Sequence, residues 1–133
     1  MTKLLSILAC VAGFCLSGYA QNTDEELIAE YELKYEAAQK EFSEMAIMLD
    51  DEKWAYVKAQ ATCLSYETMV AIGERRGLDV KAFRKKANKL QKRLNRNKIE
   101  LSSEEEAYAR IYYEMSIYFT AKTTLERVLE LQK

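Results

Sequence analysis

Two clusters of carboxylates are the residues in this sequence best suited to acid–base chemistry or to holding a cation. They are Asp50-Asp51-Glu52 and Glu104-Glu105-Glu106. Each cluster stands where a predicted helix begins, and the partial positive charge of a helix N-terminus stabilises negative side chains there. Neither cluster has the central glycine of a calcium-binding loop. We therefore interpret both as helix caps rather than as catalytic or calcium-binding groups.

Histidine is absent from all 133 residues. The chain therefore lacks the commonest general base and the most frequent metal ligand. The Glu-x-x-His pairs of two-iron bundles and the Cys-x-x-Cys-His site of c-type haem cannot be built from this sequence. The four glycines match no phosphate-binding loop. We predict that the protein is not an enzyme, with no catalytic residues, no metal site and no cofactor.

The N-terminus has the pattern of a secretory signal peptide. Lys3 gives a positive start, residues 4–16 are almost entirely apolar, and Gly18 and Ala20 are the small residues that precede a cleavage site. A helix that spans a bilayer needs about 20 apolar residues, and this run is shorter. We predict that residues 1–20 are a cleaved signal peptide and that the protein is exported, either to the periplasm or out of the cell.

Cleavage after Ala20 leaves residues 21–133 as a single domain with one of the three cysteines and no integral membrane segment. A disulfide framework then cannot hold the fold, so helix packing must. Cys63 lies in line with Tyr56 and Val70 on a predicted helix, and free cysteine is among the most frequently buried residue types. We expect a buried thiol, with an intermolecular disulfide in a homodimer as the alternative.

Apolar residues recur at alternating spacings of three and four in four segments, which is typical of amphipathic helices. The predicted helices cover about 24–49, 52–76, 80–96 and 103–132. Short connections favour antiparallel neighbours. We predict an all-α fold after the cleaved signal peptide, either an antiparallel four-helix bundle or paired helical hairpins. An extended hairpin dimer and a curved open helical layer are the alternatives.

Helix boundaries have their own residue signals. Thr23 with Glu26, and Ser102 with Glu105, have the three-residue spacing of capping boxes. Gly77 suits the left-handed residue that often follows the end of a helix. These positions predict the starts of the first and fourth helices and the end of the second.

The fourth predicted helix is apolar on two sides. Besides its main stripe from Tyr108 to Leu129, it carries Tyr112, Tyr113, Ile117 and Phe119 on another side. A helix that is apolar on most sides is either central in the fold or shared with a partner. We expect this helix at the centre of the bundle or in a homodimer interface.

Charge is the most unevenly distributed property of the sequence. Residues 74–98 contain eleven basic and two acidic residues, a net charge of +9. Residues 21–73 carry −8 and residues 99–133 carry −3, so the charge after cleavage is only −2. The third predicted helix is therefore strongly basic on an acidic molecule. The residues that we predict to bind a partner are its cations Arg84, Lys85, Lys89, Lys92, Arg93 and Arg96.

Three interpretations of this basic helix compete. It can lie beside the acidic first or second helix and be neutralised internally. It can instead steer and bind an acidic protein. It can also lie on an anionic membrane or polymer, but a membrane-bound helix presents large apolar residues opposite its charges, and Phe83 is the one aromatic residue in this stripe. Nucleic acid is disfavoured by export and because no aromatic residues alternate with the cations.

One short segment resembles a known family. Leu101-Ser102-Ser103-Glu104-Glu105 is similar to the Leu-Thr-x-x-Gln repeat of Spy/CpxP-like envelope chaperones, which are exported, all-helical and free of histidine. The threonine and the glutamine are both replaced here and a single copy is present, so the resemblance assigns no site residue.

These observations predict a non-catalytic exported interaction protein that binds a protein partner with an acidic surface. An inhibitor or a toxin-neutralising (immunity-type) protein is the concrete form of this hypothesis. The alternative is an envelope chaperone of the Spy/CpxP-like kind with a basic client-binding surface.

Overall fold

A computed structural model describes residues 22–133, so the predicted signal peptide lies outside the described residues. Within that range the chain forms four helices, α1 (Asp24–Glu44), α2 (Asp51–Arg75), α3 (Lys81–Arg96) and α4 (Ser103–Leu131). None of the residues from 22 to 133 lies in a β-strand. The predicted all-α helical bundle is confirmed.

Side-chain caps begin α1 and α4 where the sequence predicts them. Thr23 Oγ1 accepts a hydrogen bond from the backbone N–H of Glu26 at 3.2 Å. At α4, Ser102 Oγ accepts from the Glu105 N–H at 3.2 Å, and the Glu105 carboxylate accepts from the Ser102 N–H at 2.9 Å. Each bond satisfies a backbone donor that would otherwise be unpaired in the first helical turn.

The turn from α2 to α3 is built on two glycines. Gly77 has a φ of +75°, which a residue without a Cβ adopts freely. The N–H of Leu78 donates to the carbonyl of Gly73 at 2.9 Å and the Gly77 N–H donates to the carbonyl of Glu74 at 3.3 Å, which is the Schellman pattern. A Cβ on Gly73 would stand 2.9 Å from Val80 Cγ1, so this glycine lets the start of α3 approach α2 closely.

α1 ends at Glu44, five residues before the predicted end at residue 49. The spacing of apolar residues continues through Met45 and Leu49, but the backbone of Met45 is extended, with φ −80° and ψ 127°. Leu49 nevertheless packs against the core from the connection between α1 and α2. Leu49 therefore anchors this connection by packing against the core, and its place in the apolar spacing does not mean that the helix continues to it.

Consecutive helices run antiparallel, and their order in space is α1, α4, α2, α3. α4 packs against both α1 and α2, while α3 packs against α2. The start of α1 meets the end of α2 through Asp24 and Arg76, and the end of α1 meets the start of α2 through Phe42 and Trp54. α1 and α3 therefore form the two edges of the arrangement, with α4 and α2 between them.

The core lies along α4. Ile117, Ala121 and Leu125 of this helix are 0% exposed. They form one cluster with residues of α1 and α2, among them Leu27, Tyr31, Val57, Leu64 and Ile72. The core-facing side of α4 is thus covered by α1 and α2, which agrees with the predicted central place of this helix, whereas Phe119 on its second apolar side remains 49% exposed.

Aromatic rings close the end of the bundle where α1 stops and α2 and α4 begin. Phe42 stacks on Tyr108 with ring centroids 4.5 Å apart, and Trp54 meets Tyr112 at 4.9 Å. Such pairs add to the free energy of burial when the rings are offset or tilted. The cluster therefore ties together the three helices that surround the core.

Candidate partner-binding surface

α3 is a helix of good helix formers with a narrow apolar side. Its interior has no glycine or proline, and Val80, Phe83, Ala87, Leu90 and Leu94 recur at spacings of three and four. At its end, the side-chain amide of Asn97 donates to the carbonyl of Arg93 at 3.0 Å. At its start, Asp79 Oδ1 accepts from the Lys81 N–H at 3.1 Å. Its first turn contains no acidic residue.

The apolar side of α3 faces α2. Ala87 and Leu94 are buried, and Phe83 stacks on Tyr66 of α2 with ring centroids 6.2 Å apart. Cys63 Sγ lies 3.6 Å from the carbonyl oxygen of Ala87. These contacts hold α3 against α2 on one side, so its other sides face outward.

All six cations predicted to bind a partner are exposed on α3. We call them the basic surface, which comprises Arg84, Lys85, Lys89, Lys92, Arg93 and Arg96. Arg84 forms an ion pair with Glu74 at 2.9 Å. For the other five, no carboxylate within residues 22–133 lies within ion-pairing distance. Most of the positive charge on α3 is therefore not cancelled by a local partner.

Among residues 22–133, one cation of the basic region 74–98 pairs with a carboxylate of α1. Arg76, between α2 and α3, donates to Asp24 at the start of α1, with Nη2 to Oδ1 at 2.7 Å and Nε to Oδ2 at 3.1 Å. The remainder of α1 lies at the opposite edge of the molecule from α3. The interpretation in which the basic helix lies against the acidic first helix does not describe this fold. α3 lies beside α2 and receives one ion pair from it.

A groove of about 910 Å³ runs along the basic surface. Leu90 of α3 and Thr62 and Tyr66 of α2 contribute to its lining. The ammonium group of Lys86 stands over the ring of Tyr66, 5.7 Å from its centroid. Residue spacing does not single out Thr62, Tyr66 or Lys86, because their role depends on which side of α2 receives α3. The surface therefore combines cations with a small apolar strip.

Cys63 is sealed beneath α3 and is 1% exposed. Burial, and to a lesser extent the neighbouring Glu67 carboxylate, raises the pKa of its thiol to about 11. Burial also raises the pKa of Glu67, whose Oε1 is 4.0 Å from the sulfur. The prediction of a buried thiol agrees with this geometry. An intermolecular disulfide at Cys63 would require α3 to leave α2.

In each of the two carboxylate clusters, one side chain accepts a capping hydrogen bond at the start of a helix. Asp50 Oδ1 accepts a hydrogen bond from the Lys53 N–H at 2.8 Å. Glu105, besides capping α4, accepts two bonds from Lys53 Nζ at 2.9 and 3.0 Å. The interpretation as caps is confirmed for these two residues. Within residues 22–133, no three carboxylates or thiols converge as a metal site requires.

The Lys53–Glu105 pair makes stability depend on pH. The hydrogen bond from Lys53, followed by the one from the Ser102 backbone, lowers the pKa of Glu105 below its ordinary value of 4.5. Stability from this group is therefore complete above pH 4.5 and is lost as the pH falls through the lower pKa of the folded state. We expect Glu105→Gln to flatten the acid side of the stability profile, as measured by urea unfolding at a series of pH values.

The neighbouring exposed Glu104 provides the control for that experiment. Glu104→Gln should leave the profile unchanged, because Glu104 has no ion pair among the described residues. The hydrogen bond from Glu105 also raises the pKa of Lys53. The contribution of Lys53 to stability is therefore complete below pH 10.5 and is lost as the pH rises through the higher pKa of the folded state. Equal acid sensitivity in the Glu105→Gln variant and the parent chain would contradict the assignment.

Comparison with protein-family models, with curated proteins and with solved structures found no match for this chain. None of the helices between residues 22 and 133 combines the length and the apolar character needed to cross a bilayer.

Proposed function

We propose that this chain is a non-catalytic exported interaction protein that binds an acidic protein partner through the basic surface. An inhibitor or a toxin-neutralising (immunity-type) protein is the form of this function that we favour. The observation that carries the proposal is the row of five exposed cations on α3 with no carboxylate of the described residues in ion-pairing distance. Like charges held together repel one another, and an acidic partner relieves that repulsion.

The attachment of α3 supports this role. Packing on α2 holds the helix in one place, so the cations are presented on a rigid element and little ordering is needed on binding. The ring of Tyr66 and the side chain of Leu90 add apolar contact within the same groove. Cations at the rim of an interface accelerate association, while buried aromatic and aliphatic contacts slow dissociation.

The chaperone alternative receives less support. A surface that holds unfolded clients needs a contiguous apolar patch. The large apolar side chains that are exposed between residues 22 and 133 are Leu33, Met48, Phe119 and Leu131, and they lie on three different parts of the chain. The basic groove offers a narrow apolar strip, which suits a defined partner better than varied clients.

Charge reversal on the basic surface tests the proposal. We expect the triple variant Lys85→Glu, Lys89→Glu, Lys92→Glu to lower the rate constant of association with the partner at least tenfold at low salt, because steering depends on complementary charge. The partner is obtained by affinity capture from the exported fraction with the parent chain, and the rate is measured by surface plasmon resonance. Raising the salt to about 500 mM should remove most of the difference, since the Debye length then falls well below 10 Å.

A matched control separates this surface from net charge. Lys40→Glu, Arg127→Glu, Lys133→Glu makes the same change in charge at three exposed positions away from α3. The association rate should then change much less. Both variants should stay within about 1 kcal/mol of the parent in free energy of unfolding, as exposed charges do. Equal binding by the two triple variants, or a loss of stability above about 2 kcal/mol from reversal on α3, would contradict the proposal.

A further inference from the structure

The outer face of α1 is the acidic counterpart of the basic surface. α1 contains eight acidic and two basic residues, a net charge of −6. Leu33, at the centre of the outward side, is 67% exposed although it is a large apolar residue. Exposed carboxylates occur along the helix before and after it, among them Glu25, Glu36, Glu41 and Glu44, and none of these four forms an ion pair among the described residues. We call this side of the helix the acidic face.

The fold places the acidic face and the basic surface at opposite edges. α4 and α2 lie between α1 and α3, so one molecule cannot bring its own two surfaces together. Both helices are antiparallel to α2 and therefore run in the same direction. The 21 residues of α1 span about 30 Å and the 16 residues of α3 about 24 Å, at about 1.5 Å per residue. The acidic face of one molecule is thus long enough to cover the basic surface of another.

We propose that the protein associates head to tail with a second copy of itself, the acidic face of one chain docking on the basic surface of the next. This inference rests on the proposed function, because it names one acidic protein that the basic surface binds. Carboxylates such as Glu36 and Glu41 meet Lys85, Lys89 and Lys92, and Leu33 enters the groove beside Tyr66 and Leu90.

The contact joins different surfaces of the two chains, so it is heterologous. A heterologous contact between opposite edges leaves a free acidic face at one end and a free basic surface at the other. Further copies add to either end unless the rotation between neighbours closes a ring. The average size of the assemblies should therefore rise continuously with protein concentration and fall with salt.

Sedimentation velocity of the full chain tests the association. At about 20 mM salt, where the Debye length is near 20 Å, we expect the weight-average mass to increase with concentration, and at about 500 mM salt the same samples should be monomeric. Leu33→Asp should weaken association at least tenfold, whereas Leu131→Asp should leave it unchanged. Leu131 is the control because it is 65% exposed but belongs to α4, a helix that carries neither surface.

A charge swap identifies which surfaces meet. The variant with Lys85, Lys89 and Lys92 changed to Glu, and a second variant with Glu36, Glu41 and Glu44 changed to Lys, should each be monomeric at low salt. Their equimolar mixture should associate again, because the acidic α1 of the first variant meets the basic α3 of the second. Circular dichroism and melting curves confirm that each variant is folded.

Three outcomes would overturn the inference. They are a parent chain whose mass does not depend on concentration at low salt, association that survives either charge reversal, and a mixture of the two variants that stays monomeric. A polyglutamate chain provides the comparison: if it binds the basic surface while the parent chain remains monomeric, a foreign acidic polypeptide is the occupant and self-association is rejected. The variant reversed on α1 keeps its basic surface, so binding of the captured partner by this variant tests the proposed function separately.

Discussion

Replacing Asp24 by Asn is expected to lower the free energy of unfolding by about 3 kcal/mol, as when one member of a buried ion pair is removed. The Arg76 side chain is 6% exposed, and its Nε and Nη2 donate to the Asp24 carboxylate while Nη1 donates to the carbonyl of Ile72. Without the carboxylate, the guanidinium keeps its positive charge in a place that water hardly reaches. Chemical denaturation at pH 7 measures the loss.

The adjacent Glu25 supplies the control for this experiment. Glu25 is exposed and lies in the same first turn of α1, so Glu25→Gln should cost less than about 0.5 kcal/mol. Arg76→Met should recover part of the stability of the Asp24→Asn variant, because the buried positive charge is then gone. A loss below about 1 kcal/mol for Asp24→Asn would show that the pair does not hold the start of α1 to the end of α2.

Ile117→Ala is expected to cost about 2–5 kcal/mol, the range for truncating a large aliphatic side chain in a close-packed core. Ile117 is 0% exposed at the middle of α4, in the cluster that α1 and α2 complete. The substitution removes three carbon atoms, and the neighbours on two helices can fill the cavity only in part. The free energy of unfolding from denaturant titration is the measurement, with an unchanged m-value as evidence of two-state unfolding.

Phe119 is the matched position on the same helix. It is 49% exposed and contacts Tyr35 with ring centroids 5.5 Å apart. Phe119→Ala should therefore cost clearly less than Ile117→Ala, although Phe is the larger side chain. The reverse order would mean that the buried side of α4 has been assigned to the wrong residues.

Local signals predicted the helices well because they act within a few residues. The Ser102–Glu105 capping box and the positive φ of Gly77 depend on their own segments alone, and both occur as predicted. The predicted end of α1 at residue 49 was wrong because the actual end at Glu44 has no such local signal. No glycine or proline marks it, and the apolar spacing runs on through Leu49, which packs against the core from outside the helix. Burial alone therefore could not distinguish a helical residue from an anchored connection.

The spacing of apolar residues was a poorer guide to which residues are buried in the core. The spacing of three and four puts Ile28 on the apolar stripe of the first helix and Ala71 on that of the second. In the structure the adjacent Leu27 and Ile72 are almost fully buried, whereas Leu90 is only half-buried. A stripe gives the side of a helix to within about one residue, but the depth of burial depends on how many neighbours cover that side. α4 has two packed neighbours around its core-facing sides, and α3 has one. This difference in coverage is a tertiary property.

The sequence predicted that α3 is a strongly basic helix. It did not predict which residues of α2 and α3 together form the surface. The six cations follow from counting residues, and the structure places all of them on the outside of α3. Five of the six have no carboxylate of the described residues within ion-pairing distance, because α3 lies against α2 rather than α1. The contribution of Tyr66 and Lys86 depends on the side from which α3 approaches. Neither contact is encoded within one segment.

The position of Cys63 under α3 has a consequence for redox chemistry. With a thiol pKa of about 11, roughly one molecule in ten thousand carries the thiolate at pH 7, and the thiolate is the form that attacks disulfides. In the oxidising compartment to which we propose that the protein is exported, the Cys63 thiol is therefore slow to form mixed disulfides or a sulfenic acid. The helix that carries the cations also shields the cysteine from oxidants. The chain can remain reduced there without a second cysteine to protect it.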